Sequence, residues 1–353
     1  MQPKATAIDL FSGAGGLSLG LQSAGFNVVA ALDNDPISIE TYNKNLGPHG
    51  IVADIQDVNA DELLGKLGLS RGECVLLAGG PPCQGFSLQR RGSRDDPRNG
   101  LVLHFIRLIE EIRPEFFLME NVSGLMSKHG RPFLEEFKRR MGRLGYTLNI
   151  DVLNASDFGV PQRRLRAFLV GARDGMTFTF PKPGLHAVTT VRDAIADLPS
   201  PPLDGKSSTS VPNHFRELRL AAINIERIKH VPQGGGRLNI PDHLQLDCHR
   251  NNATHRHLDV YGRLAWDEPS VTLTARFDSF TRGRFAHPEE HRSLTVREGA
   301  RIQTFPDWFE FLGNREEQAR QVGNAVPPML AEVLAETILA HRERAIRANE
   351  KAA

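Results

Sequence analysis

The sequence predicts an α/β fold, in which helices cover both faces of an open sheet, together with a smaller and less regular second domain. In the first half of the chain, short apolar runs bounded by glycine or proline alternate with amphipathic segments, as in consecutive βαβ units. From Pro181 onward, prolines, glycines, serines and histidines accumulate and the periodicity fades. We therefore expect a first domain over residues 1–181, a second over 182–305 and a closing helical segment over 306–353.

The composition is that of an ordinary globular protein and does not by itself identify a partner. Hydrophobic residues make up 40% of the chain, and 43 basic residues balance 42 acidic ones to a net charge of +1. No apolar run approaches the roughly 18 residues of a membrane span, and the three cysteines lack a disulfide spacing. We therefore expect a reduced, cytoplasmic protein.

Arginines are concentrated in three clusters. Arginine favours forked recognition of phosphate and base edges, although such a cluster is often only a solvated surface. The clusters are Arg90, Arg91, Arg94 and Arg98; Arg163, Arg164 and Arg166; and Arg282, Arg284, Arg292, Arg297 and Arg301.

The first predicted unit consists of a strand, a glycine-rich turn and a helix. Ala5–Ile8 is apolar, the turn follows at Phe11–Gly16, and apolar residues recur at helical spacing from Leu17. This order opens a nucleotide-binding unit. A dinucleotide fingerprint would need a further glycine where Ser18 stands, which disfavours nicotinamide and flavin cofactors.

Acidic residues follow the next two predicted strands. Asn27–Leu32 leads to Asp33, and Ile51–Val52 leads to Asp54 and Ile55. A carboxylate at the end of such a strand can accept hydrogen bonds from ribose hydroxyls, and an apolar neighbour can border an adenine. Because the chain contains no P-loop string with its lysine, these residues indicate an adenosine pocket rather than an ATP site.

The turn after the apolar run Cys74–Ala78 carries the candidate nucleophile, Cys83. Pro81 and Pro82 restrict the backbone before it, and ligands of open α/β sheets bind beyond the carboxyl ends of the strands. The alternative is that Cys83 is a small buried hydrophobe. The polar loop Gly85–Asn99 that follows has the composition of a lid that closes over a ligand.

Further polar candidates follow two more predicted strands. Glu120 comes after Phe116–Met119 and is a candidate acid, base or hydrogen-bonding group, with a helix cap as the alternative. Arg164 and Arg166 alternate in an extended segment, so we expect them to share one side and to hold a carbonyl oxygen or a phosphate. The alternative for these arginines is a basic edge strand.

We expect no metal site. A group in the second domain invites a zinc interpretation, but it lacks a C-x-x-C pair and the usual ligand spacing. Its members are Cys248, His249, His255 and His257. Downstream, Thr295 and Glu298 have the spacing of a capping box and predict the start of a helix.

Taken in order, these strings resemble the DNA cytosine C5-methyltransferase family. The resemblance spans nearly the whole chain and implies a Rossmann-like sheet that binds S-adenosylmethionine, with residues 306–353 returning to complete the catalytic domain. Residues 184–290 match no family motif, as expected of a target-recognition region. The matching strings are Asp9-Leu10-Phe11 with Gly13, Gly15 and Gly16; Asp33; Asp54-Ile55; Pro82-Cys83-Gln84; Glu120-Asn121-Val122; Gln162, Arg164 and Arg166; Arg297-Glu298 with Arg301; and Gly323-Asn324-Ala325-Val326.

The resemblance also implies roles for single residues. Phe11 would lie against the adenine of S-adenosylmethionine, Asp33 would hold its ribose, and S-adenosylhomocysteine would be the product. The other implied cofactor residues are Asp9, Gly13, Gly15, Gly16, Asp54, Ile55, Pro81, Leu101, Asn324 and Ala325. Cys83 would attack the cytosine ring, Glu120 would contact N3 and the amino group, Arg166 would hold O2, and Arg164 is a further catalytic candidate.

The chemistry of the thiol agrees with this resemblance. Carbon 5 of cytosine is a poor nucleophile, and transient thiol attack at carbon 6 converts the ring to an enamine. The cytosine must leave the duplex stack to be reached. We expect a monomeric bacterial or phage enzyme acting on double-stranded DNA, with a cognate restriction endonuclease as a possible partner. Two alternatives stay open: the same chemistry on tRNA, and an inactive DNA-binding homologue.

Overall fold

A seven-stranded sheet forms the centre of the first of two compact units. The computed structural model describes residues 5–82, 99–128, 130–184, 187–207, 210–250 and 258–352. The first unit comprises residues 1–158, 165–186 and 326–353, and the second comprises 159–164 and 187–325. Residues 306–325, which we expected in the closing segment, therefore group with the second unit.

The strands of the large sheet run in the order β3-β2-β1-β4-β5-β7-β6. Strands β1 to β5 pair in parallel, whereas β7 is antiparallel to both of its neighbours. The sequence of strands reverses at β1, and ligands of open α/β sheets bind at such a switch point. The bounds are β1 Thr6–Leu10, β2 Asn27–Asp33, β3 Gly50–Val52, β4 Leu76–Gly79, β5 Phe116–Val122, β6 Tyr146–Asn154 and β7 Leu165–Arg173.

Helices alternate with the strands as predicted, which confirms the α/β fold class. The helices of the first unit are α1 Gly16–Ser23, α2 Pro36–Leu46, α3 Ala60–Leu67, α4 Asn99–Ile112, α5 Arg131–Arg143 and the last helix, α11 Pro328–Ala352. Those of the second unit are α6 Val191–Ile195, α7 Ala222–Lys229, α8 Asp247–Arg250, α9 Val296–Ile302 and α10 Arg315–Asn324. None of the described helices has the length and apolar character needed to cross a membrane.

Helix α11 closes the first unit by packing against α1. The approach is close at Gly20, where an added Cβ would clash with the backbone carbonyl oxygen of Pro328. Glycine is required here because backbone atoms cannot move aside as a flexible side chain can. Apolar side chains of α11 are buried in this unit, including Leu330, Leu334 and Ile338.

The second unit contains little regular sheet and depends on buried polar side chains. Its only named strands among the described residues are the short pair β8 Gly262–Arg263 and β9 Arg284–Ala286. The guanidinium group of Arg263 is buried and donates to the carbonyl oxygens of Ile228, Val231 and His287, among others. The capping box predicted at Thr295 and Glu298 is present at the start of α9.

Candidate active site

The glycine-rich turn between β1 and α1 lies at the switch point of the sheet. Its backbone is unusual, because Phe11 (φ 59°), Gly13 (φ 53°) and Gly15 (φ 100°) all adopt left-handed conformations. At Gly15 an added Cβ would also lie 2.5 Å from Leu46 Cδ1. A positive φ is uncommon for a bulky residue such as Phe11, and such outliers concentrate at functional sites.

The carboxylate of Asp33 joins this turn to the end of β2. Gly13 N donates to Oδ2 at 2.8 Å, and Asp35 N donates to Oδ1 at 2.9 Å. Burial raises the pKa of Asp33, and the two backbone N–H groups partly offset that rise. A carboxylate has about four acceptor sites, so the half-buried Asp33 keeps capacity for further donors such as ribose hydroxyls.

Ser12 is a candidate that sequence reasoning missed. It is buried within the turn, and its Oγ has no hydrogen-bond partner among the described residues. Buried polar groups normally have a partner, so a hydroxyl in this position is available to a ligand or an ordered water. The signal in the sequence was a hydroxyl residue inside the glycine turn.

Asp9, a predicted cofactor residue, lies in strand β1. Its side chain is fully buried, and Oδ2 accepts a hydrogen bond from Ser18 Oγ at 2.6 Å. Burial raises the pKa of Asp9 to about 7, although the Ser18 hydroxyl opposes the shift. Asp9 thus joins β1 to α1 through Oδ2, whereas its buried Oδ1 has no hydrogen-bond partner among the described residues.

Replacing Asp9 with asparagine should change how stability depends on pH. Because the folded-state pKa is raised, the folded chain holds a proton that the unfolded chain releases above about pH 4. The contribution of Asp9 to wild-type stability should fall as pH rises from about 4 to 7, by at most about 4 kcal/mol, and Asp9→Asn should remove that part of the fall. Urea unfolding followed by circular dichroism at pH 4.5 and 8 measures it. Asp54→Asn, at an exposed site, is the control and should keep the wild-type change in stability between the two pH values. If Asp9→Asn also kept that change, this interpretation would be contradicted.

The other predicted cofactor residues of the first unit have varied surroundings. Asp54 is exposed and its Oδ1 accepts from Gln56 N at 3.0 Å, whereas Ile55 is buried in the core. Pro81 is buried and its carbonyl oxygen accepts from Asn121 Nδ2 at 3.1 Å. Leu101 is partly buried against the same core. The Asn121 bond fixes the turn after β4 to the end of β5.

Glu120 and Arg166 form an ion pair at the carboxyl edge of β5. Arg166 Nε lies 2.9 Å from Glu120 Oε1, and both side chains are largely buried. They meet because β7 is antiparallel to β5, which brings the start of β7 to the edge where β5 ends. Glu120 Oε2 would lie 3.3 Å from a Cβ added at Gly80, so this carboxylate lies against the turn that leads to Cys83.

Arg164 does not share a strand face with Arg166, which corrects our expectation. Strand β7 begins at Leu165, and Arg164 belongs to the second unit. Its buried guanidinium donates through Nη1 to the carbonyl oxygens of Leu273 at 3.0 Å and Gly323 at 3.2 Å. These bonds give Arg164 a structural task, and a catalytic role for it stays a prediction without support from these contacts.

The other predicted site residues belong to the second unit or lie outside the described residues. Asn324 is exposed and Ala325 is half-buried, and both belong to the second unit. Cys83, the loop residues 85–98, and the two histidines His255 and His257 of the zinc interpretation lie outside the described residues. The roles assigned to them remain predictions.

Comparisons with known proteins identify the family. The profile of the family "C-5 cytosine-specific DNA methylase" matches residues 5–340. The Type II methyltransferase M1.HphI of Haemophilus parahaemolyticus is 39% identical over 95% of this chain and 86% of its own length. The Type II methyltransferase M.XorII of Xanthomonas oryzae pv. oryzae is 37% identical over 94% and 84%.

A solved structure supports the same assignment. A protein described as a DNA modification methyltransferase encoded within a prophage of E. coli superposes with a TM-score of 0.74 and 27% identity, covering 96% of this chain and all of that one. The match in fold accompanies the match in sequence over the same length. The chain therefore belongs to the C-5 cytosine-specific DNA methylases and is a DNA cytosine-5 methyltransferase.

Proposed function

We propose that the chain methylates carbon 5 of a cytosine flipped out of duplex DNA, using S-adenosylmethionine as methyl donor and Cys83 as a transient covalent nucleophile. The observation that carries this proposal is the Glu120–Arg166 ion pair. It lies at the edge of the sheet where β4 ends, a few residues before Cys83 in the sequence. A carboxyl group and a guanidinium group can thus face one ring from one side.

The residues of the glycine turn fit an adenosine cofactor. Asp33 keeps acceptor capacity for ribose hydroxyls, and Ser12 Oγ is a buried polar atom without a partner among the described residues. A Cβ added at Gly13 would meet nothing within 4 Å, so there is open space above the turn. Phe11, which is only partly buried, supplies apolar surface for an adenine. When bound, S-adenosylmethionine supplies an activated methyl group on its sulfonium.

In the proposed chemistry, each of the three side chains Cys83, Glu120 and Arg166 contacts a different atom of the cytosine. Attack of the Cys83 thiolate on carbon 6 moves electron density to carbon 5, N3 and O2. The Glu120 carboxyl shares a proton with N3, and the Arg166 guanidinium donates to O2, so both stabilise the charge that develops. After carbon 5 has accepted the methyl group, its proton is lost to a base and the thiolate leaves. That base is not assigned, and water is one candidate.

Replacing Glu120 with glutamine tests this arrangement. The amide keeps the shape but cannot share a proton with N3, so we expect kcat to fall by about 10²–10³-fold while binding of S-adenosylmethionine changes little. Methyl transfer to duplex DNA and calorimetry measure the two quantities. Glu115→Gln is the matched control, because Glu115 precedes the same strand and pairs with Arg342 at 2.6 Å. Equal losses in both variants would contradict the proposed role.

The substrate can be tested separately from the mechanism. Methyl incorporation should occur with duplex DNA and not with tRNA, and DNA containing 5-fluorocytosine should trap a covalent adduct. Without an adduct, the chain would be an inactive DNA-binding homologue. We further propose that target choice resides in residues 184–290, so exchanging them with those of a relative should change the modified sequence in bisulfite sequencing.

The similarity to Type II methyltransferases also suggests a partner protein and a cellular location. The relatives named as Type II methyltransferases support a cognate restriction endonuclease for this chain and a cytoplasmic site of action. We propose that the chain acts as a monomer. Sedimentation of the chain with and without duplex DNA measures its oligomeric state.

A further inference from the structure

The second unit contains a cavity of about 620 Å³ that carries four arginines. It lies at the start of α10 and is distinct from the ion pair of Glu120 and Arg166 in the first unit. The lining residues are Arg219, Ala275, Arg276, Asn314, Arg315, Glu316, Glu317 and Arg320. We call this the arginine cavity.

The four arginines are not equivalent. Arg315 is largely buried and its charge is used internally, because it contacts the carboxylates of Glu217 and Asp278. Arg276 is 42% exposed and belongs to the rim. Its Nε lies 3.4 Å from Oδ1 of the buried Asp278, and its Nη1 lies 3.3 Å from Oε2 of Glu316. One end of the guanidinium is therefore anchored in the protein and the other faces an exposed carboxylate.

The contact between Arg276 and Glu316 is easily exchanged. The Glu316 side chain is 63% exposed, and ion pairs of such exposure contribute about 0–1 kcal/mol. The backbone N–H groups of Glu316 and Glu317 already donate to Asn314 Oδ1, so these two donors of the helix start are in use. The guanidinium groups are the charged donors of the cavity, and they suit the forked recognition of phosphate.

We propose that a backbone phosphate of the DNA substrate enters the arginine cavity and replaces Glu316 as the partner of Arg276. In the absence of DNA, Glu316 pairs with the Arg276 guanidinium. It therefore competes with the phosphate and weakens the binding of DNA. Asp278 is a positioning residue, since it holds Arg276 at the rim. The proposal rests on DNA being the substrate of this family, and it does not depend on the roles proposed for Cys83, Glu120 or S-adenosylmethionine.

The test measures the affinity of the full-length chain for a random-sequence duplex between 50 and 200 mM KCl. Each phosphate contact contributes about 0.9 to the slope of log Kd against log salt. Arg276→Gln should lower that slope by about 0.9 and weaken binding about three- to tenfold at 100 mM. Arg276→Lys, which keeps the charge, should restore most of the slope. Glu316→Gln should tighten binding about two- to fivefold.

Matched controls come from the exposed Arg347 and Glu343 of α11, which lie 3.5 Å apart in the first unit. Arg347→Gln and Glu343→Gln change the net charge in the same way and should alter affinity by less than about 1.5-fold. An unchanged slope in Arg276→Gln, weaker or equal binding in Glu316→Gln, or controls that match the cavity variants would overturn the proposal. Affinity is measured without S-adenosylmethionine, so failure of this proposal can be distinguished from failure of the proposed chemistry.

Discussion

Cys83→Ala should abolish methyl transfer, with a loss of at least about 10⁴-fold, while binding of S-adenosylmethionine stays nearly intact. Without the thiol, carbon 6 of the cytosine is not attacked and carbon 5 remains a poor nucleophile. Asp33 and Ser12, which we assign to the cofactor, lie at the end of β2 and in the turn after β1, and Asp33 is held there by the backbone N–H groups of Gly13 and Asp35. Single-turnover transfer to duplex DNA and calorimetry with the cofactor measure the two effects.

Cys248→Ala is the control for this result. Cys248 is an exposed free thiol in the second unit, so its removal tests whether loss of any accessible cysteine affects the enzyme. We expect Cys248→Ala to retain full activity. If Cys83→Ala loses cofactor binding and transfer to the same extent, Cys83 contributes to the fold of the crevice and the nucleophile must be sought elsewhere.

Local patterns in the sequence were sufficient to predict most elements of the first unit. The apolar runs that form β1, β2, β4 and β5 are short and bounded by glycine, proline or polar turns. This local pattern is typical of a buried strand. The capping box of α9 was equally local, since Thr295 and Glu298 are three residues apart. The position of Glu120 at the carboxyl edge of β5 followed from the same reasoning.

Contacts between distant residues were not predictable in this way. The antiparallel insertion of β7 between β5 and β6 depends on pairing across the chain, and it decides that Arg166 meets Glu120. The strand begins at Leu165, so Arg164 fell outside it and alternation gave the wrong expectation. Helix α10 looked like part of the closing segment, but it packs with α9 in the second unit. A local pattern does not record which neighbour covers an apolar face.

Glu298→Gln should destabilise the second unit by about 3–5 kcal/mol. Glu298 and Arg292 form a buried, two-pronged ion pair, with Nη1–Oε2 at 2.8 Å and Nη2–Oε1 at 2.7 Å. Their side chains are 1% and 4% exposed. The amide replacement leaves the charge of Arg292 buried, with Glu290 as its remaining carboxylate partner among the described residues. A buried charge that has lost its main partner is strongly destabilising.

The same pair should make the second unit sensitive to acid. Burial alone would raise the pKa of Glu298, but the Arg292 guanidinium outweighs burial and lowers the pKa to about 2. Because the folded-state pKa is depressed, the stabilisation is complete above pH 4.5 and is lost as pH falls from about 4.5 toward 2. Glu298→Gln should therefore flatten the dependence of stability on pH within that window.

Tryptophan fluorescence can follow this unit alone during urea unfolding. The chain has two tryptophans, Trp266 and Trp308, and both belong to the second unit. The double variant Glu298→Gln with Arg292→Met is the matched control, because it removes the stranded charge and should recover part of the lost stability. Two results would show that the pair does not hold the unit together. One is a loss of unfolding free energy below about 1 kcal/mol in Glu298→Gln, and the other is a loss in the double variant that exceeds the sum of the losses in the two single variants. The ion pair would then be incidental to a unit stabilised chiefly by apolar residues such as Phe277 and Phe305.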